Sequence, residues 1–102
     1  MRLPGNPISR IAARNVESVQ AEIAQEKAAS LARMSTRLRE ALDRLEAHDA
    51  PEGRDALVAQ AGEALWYYVI QREACGLRGT EGIFRDFRVP REVQLRMGPA
   101  PK

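Results

Sequence analysis

Chemistry-bearing side chains are scarce in this 102-residue chain, which has one cysteine, one histidine and one tryptophan. Cys75 stands alone, so no disulfide can close within the chain and a disulfide-stapled secreted scaffold is excluded. A reducing, cytoplasmic setting is expected. His48 has no His, Cys or carboxylate cluster at ligand spacing around it, which argues against a zinc or iron centre, and neither a metal nor a cofactor is expected. No run approaches the ~18 apolar residues that a membrane span needs, and the Met1–Pro7 stretch lacks the apolar centre of a secretory signal. The first residues are acid-free and contain Arg2, Arg10 and Arg14, as organelle transit peptides do, but Pro4, Gly5 and Pro7 spoil the amphipathic helix of such a peptide. Sixteen basic against 14 acidic residues leave a surplus too small to imply nucleic acid or an anionic membrane as partner. The surplus sits at the two ends, while the middle of the chain is net acidic.

A second absence shapes the fold. From Ile8 to Ala50 there is neither glycine nor proline, and Ala, Glu, Arg, Leu and Gln dominate; these are strong helix formers, so one long helix or two nearly continuous ones are expected. Asn6 before Pro7 is a suitable start, with Asn15 as a second candidate. Val16, Val19, Ile23, Leu31, Met34, Leu38, Leu42 and Leu45 recur mostly at steps of three and four, with a polar gap at Glu26 and Lys27; that spacing describes one buried stripe. The stripe contains no aromatic residue, since none precedes Trp66, and its aliphatic, alanine-rich character suits close coiled-coil-like packing.

The segment from His48 to Gly53 breaks this helix, because Pro51 disfavours helix at the residue before it and Gly53 adds freedom. A second helix is expected from about Asp55 to Cys75, stopped by Gly76. A short loop between two amphipathic helices predicts an antiparallel hairpin whose facing residue numbers sum to roughly 102. Beyond it, Thr80 is placed to cap a short helix with Ile83, Phe84 and Phe87, and Pro90 opens another with Val93 and Met97. The expected fold class is therefore all-α, a long helical hairpin with two short C-terminal helices. Residues 1–15 form an arm or helix start, 16–98 a single helical domain and 99–102 a frayed tail.

Few residues invite a functional reading. Trp66, Tyr67 and Tyr68 are consecutive and sweep roughly 200° of the helix, so they cannot all face one partner. Either two sides of this helix are covered, or one aromatic is exposed as a contact; a ligand pocket beside Trp66 is a further reading. Arg72 falls on the apolar line of the second helix, and the hairpin register puts it near Ser30 and puts Glu73 or Cys75 near Lys27 or Glu26, so that Glu26, Lys27, Arg72 and Glu73 are a candidate buried polar cluster. His48 near the end of the first helix suits the partial negative charge there, and Cys75 reads as a structural thiol just before a helix stop. Residues 72–97 resemble a bacterial helix-turn-helix weakly, with Arg91, Gln94 and Arg96 as the contacts such a DNA-binding protein would use.

The run from Ala64 to Arg78, with its Trp66-Tyr67-Tyr68 triplet and Cys75-Gly76, is joined by Val89-Pro90-Arg91-Glu92-Val93, Arg96-Met97-Gly98 and, earlier, Glu26-Lys27-Ala28-Ala29. Together these resemble a family of short bacterial proteins classed only as a domain of unknown function, over roughly residues 16–98. The resemblance implies a self-contained bacterial cytoplasmic domain and transfers no activity or site residue. The expected function is thus a non-enzymatic helical module for oligomerisation or for binding a protein partner. A length mismatch favours a homodimer: the second helix ends opposite residue 27, leaving Val16, Val19 and Ile23 for a second copy to cover, with Trp66 or Tyr67 filling part of the seam. Neither a membrane nor nucleic acid is expected as partner.

Overall fold

The computed structural model describes the backbone of residues 7–99 and the side chains of residues 14–99. Four helices follow in order: α1 (Pro7–Glu46), α2 (Arg54–Ala74), α3 (Glu81–Asp86) and α4 (Arg91–Gln94), with no strand among the described residues. The helix starts at Pro7, whose fixed φ suits a first turn, and runs unbroken through Asn15. At ~1.5 Å per residue its 40 residues extend about 60 Å.

The hairpin turn falls where Pro51 and Gly53 put it. Gly53 takes a left-handed backbone (φ 81°) to start α2. His48 Nε2 donates to the Glu52 carbonyl oxygen at 2.6 Å, so the imidazole braces the turn itself instead of only facing the helix end. At the far end Gly76, also left-handed, lets the Leu77 N–H reach back to the Arg72 carbonyl at 2.9 Å, a Schellman stop. Thr80 occupies the position before α3, but its backbone carbonyl and not its hydroxyl makes the cap contact, with the Phe84 N–H at 3.0 Å.

The register agrees with the sequence reading. Arg37 pairs with Glu63 at 3.0 Å, and the Lys27 carbonyl accepts from Gln71 Nε2 at 3.4 Å and from the Cys75 thiol at 3.8 Å. Along the interface, mostly on the turn side of the Arg37–Glu63 pair, Leu38, Ala41, Leu42 and Leu45 of α1 pack with Val58, Ala61, Ala64, Leu65, Tyr68 and Val69 of α2. Leu38 and Leu65 are wholly buried. Ile83, Val89 and Val93 close the same core from the C-terminal segment.

Two backbone features seat that segment. Gly62 in mid-α2 has no side chain to offer, and a Cβ there would lie 2.3 Å from the Arg96 carbonyl oxygen, so the turn that follows α4 rests directly on the α2 backbone. Arg96 then reaches Asp55 at 2.7 Å, and Arg54 pairs with Glu92. At the end of α3 the Val89 N–H bonds to the Phe84 carbonyl at 2.9 Å, and this forces Arg88 into the left-handed region (φ 52°) usually given to glycine.

Among the described side chains of α1, every buried one lies at or beyond Leu38, and every one from Arg14 to Ala29 is exposed. Beyond Lys27 toward its N-terminus, α1 therefore runs on for about twenty residues, ~30 Å, and its described side chains there, from Arg14 on, are all exposed. The radius of gyration is 20.5 Å and the extents are 78 × 23 × 22 Å; a compact chain of this length would have a radius near ~13 Å.

Candidate functional site

The free part of α1 is the feature that a folded chain least readily tolerates. Val16, Val19 and Ile23 share one side of it and are 55%, 52% and 50% exposed. Steps of three and then four, the two spacings that bring helical side chains onto one face, separate them, so they form a continuous aliphatic strip. Around the strip stand Glu17, Gln20, Glu22 and Gln25, all exposed. The strip itself carries no titratable or nucleophilic side chain. What it can do is exclude water against another apolar helix face.

The aromatic triplet is divided between roles. Tyr68 is buried and meets Phe87 edge-on with ring centres 5.3 Å apart. Tyr67 is turned outward under the Arg37 guanidinium, 5.1 Å from its ring centre, and Trp66 packs beside it at 5.1 Å, half-buried. One ring of the triplet thus enters the core and another stays at the surface. This patch is separate from the strip, however. Arg37 lies fourteen residues beyond Ile23, about 21 Å along the helix at ~1.5 Å per residue, so Trp66 and Tyr67 do not extend the Val16–Ile23 surface.

The candidate polar cluster is not buried. Glu26, Lys27 and Glu73 are exposed, and Glu26 pairs with Arg33 on its own helix at 3.1 Å. Hairpin register fixes the height at which residues meet but not the side they face, and these side chains point outward while the Lys27 backbone makes the contact. Arg72 alone turns partly inward. Its guanidinium stands 5.9 Å over the Tyr68 ring, and its Nε is buried without a hydrogen-bond partner.

The helix-turn-helix reading loses its reading helix. α4 is a single turn of four residues, too short to carry several side chains along a major groove. Two of its three candidate contacts are already engaged, Arg96 with Asp55 at 2.7 Å and Gln94 with the Val89 carbonyl at 3.0 Å; Arg91 is exposed.

A cavity of about 540 Å³ opens near the hairpin turn, away from Trp66, where Arg39, Glu46, Arg54, Asp86, Phe87 and Arg88 converge. Sequence reasoning missed it, because its residues come from α1, α2 and the α3–α4 connection and no local motif joins them. Its charges are mixed and largely engaged. Arg39 stacks on Phe87 at 4.6 Å and Arg54 pairs with Glu92. It holds no thiol, hydroxyl or imidazole. Among the described residues no three His, Cys, Asp or Glu side chains gather as a metal site requires. No helix among the described residues is long and apolar enough to cross a membrane.

Comparison with curated proteins and with solved structures finds no match. Residues 8–102 match the family of unknown function DUF6665, and the chain belongs to that family.

Proposed function

We propose that this protein is a helical interaction module without chemistry of its own, working by self-association through the uncovered face of α1. The observation that carries the reading is the exposure of Val16, Val19 and Ile23, each at least half open to water on one side of a helix that no described residue covers there. Burying an aliphatic side chain of this size stabilises by about 1.5–3 kcal/mol. A strip of three is therefore a strong reason for association. The C-terminal segment is seated elsewhere, Arg96 on Gly62 and Phe87 on Tyr68. Supporting the same reading, an isolated helical stretch of this length is only marginally stable in water, and pairing would hold it.

Light scattering on a sizing column tests this. At tens of micromolar the expected mass is twice the 11.4 kDa of the chain. Val19→Glu places a charge in the strip and should return the protein to single copies with an unchanged hairpin. A wild-type mass near 11.4 kDa at that concentration refutes self-association.

A further inference from the structure

We infer that the partner seated on the free part of α1 is a second copy of the same chain running antiparallel, so that the two hairpins lie at opposite ends of the assembly. The inference rests on the self-association reading and specifies its geometry. Charge along the free segment is divided into two blocks. From residue 7 to 14 there are Arg10 and Arg14 and no acid, whereas from 15 to 26 there are Glu17, Glu22 and Glu26 and no base. An antiparallel mate lays the basic tip of each copy along the acidic base of the other; a parallel mate lays like charge along like. The apolar positions agree with that choice. With the two-fold axis between residues 17 and 18, the layers become Ala12 with the mate's Ile23 and Val16 with the mate's Val19, small with large and equal with equal. A parallel arrangement would instead set Ala12 on Ala12 and Ile23 on Ile23, followed by Glu26 on Glu26.

The root of the free segment is shaped to receive an arriving tip. A cavity of about 350 Å³ opens there between Ala24, Lys27, Ala28, Leu31, Ala74 and Cys75. In the same register, residues 8 and 11 of the mate, both isoleucine, come level with residues 27 and 24. Leu77, 42% exposed just past α2, stands at this end of the hairpin too. The antiparallel mate thus covers more apolar surface than the strip alone, and it keeps the two sets of exposed Arg33 and Arg37 apart.

Small-angle X-ray scattering of the full chain separates the arrangements, because forward scattering gives mass and the distance distribution gives length. Two molecules 78 Å long that overlap by about 30 Å make a particle of about 125 Å, against about 80 Å if they lie side by side. Dimer mass with the longer dimension is expected. Dimer mass at about 80 Å overturns the antiparallel arrangement and leaves self-association standing, whereas monomer mass removes both. Charge reversal supplies a second readout: Glu17→Arg with Glu22→Arg should weaken the dimer about tenfold, and adding Arg10→Glu with Arg14→Glu should restore it. Failure of the second pair to restore affinity overturns the charge argument.

Discussion

At the scale of single residues, what decides the C-terminal segment is an absent side chain. Gly62 sits inside a 21-residue helix, where glycine costs roughly 1 kcal/mol relative to alanine and gains nothing from propensity. On propensity alone Gly62→Ala should stabilise the protein. The structure reverses the sign, because the added carbon would stand 2.3 Å from the Arg96 carbonyl oxygen and 2.8 Å from its carbon, both backbone atoms of a segment held by Val93 in the core. Relief requires the end of α4 to lift, which costs about 1–3 kcal/mol beyond the propensity gain. We expect the melting temperature of Gly62→Ala to fall by about 5–15 °C and amide exchange to speed up around Val93. A raised melting temperature would show that α4 is not seated on α2. Nothing in the sequence signals this contact, since a helical glycine reads only as a local penalty. Arg88 was equally illegible: the sequence offers an arginine where the chain needs a left-handed residue, and only the fold reveals it.

At the scale of elements the chain is far more transparent. Two breakers at the turn and one glycine past α2 delimited both long helices, and the turn position alone set the register that brings Cys75 to Lys27 and Arg37 to Glu63. The apolar spacing located Leu38, Leu42 and Leu45 on the inner face, where they are buried. Height along a hairpin is thus readable from residue counting. Direction around the helix is less so where a stripe drifts, which is why Glu26, Lys27 and Glu73 were placed at the correct level and on the wrong side. The 540 Å³ cavity stayed hidden for another reason, because it depends on how the α3–α4 connection folds back. The inner face carries the stability, and Leu38 is its test. With no solvent exposure at that side chain, Leu38→Asp buries an unpaired carboxylate at a cost of several kcal/mol, comparable with the whole stability of a small domain. Circular dichroism should report an unfolded chain at 25 °C. An unchanged melting curve would exclude the α1–α2 packing described above.

At the scale of the whole molecule two parts have different dependencies. The hairpin with its C-terminal cover draws its buried side chains from residues 38–93, whereas the described side chains from Arg14 to Ala29 are exposed throughout. Removing residues 1–26 should therefore cost the hairpin little. It retains Lys27, whose carbonyl anchors Gln71 and Cys75, and the described side chains it loses, Arg14 to Glu26, are all exposed. The same deletion removes the whole strip from Val16 to Ile23 and with it the surface for a second copy. If the free segment serves association, the full chain melts at a temperature that rises with protein concentration, because folding and pairing are linked by mass action. The shortened chain should lose that dependence and melt as a single copy within about 5 °C of the full chain at its most dilute. Two results would contradict this division of labour. A shortened chain that fails to fold would make the N-terminal half of α1 part of the domain's stability, and one whose melting temperature still rises with concentration would place the association surface on the hairpin, with the exposed Tyr67 and Ile70 the first residues to examine.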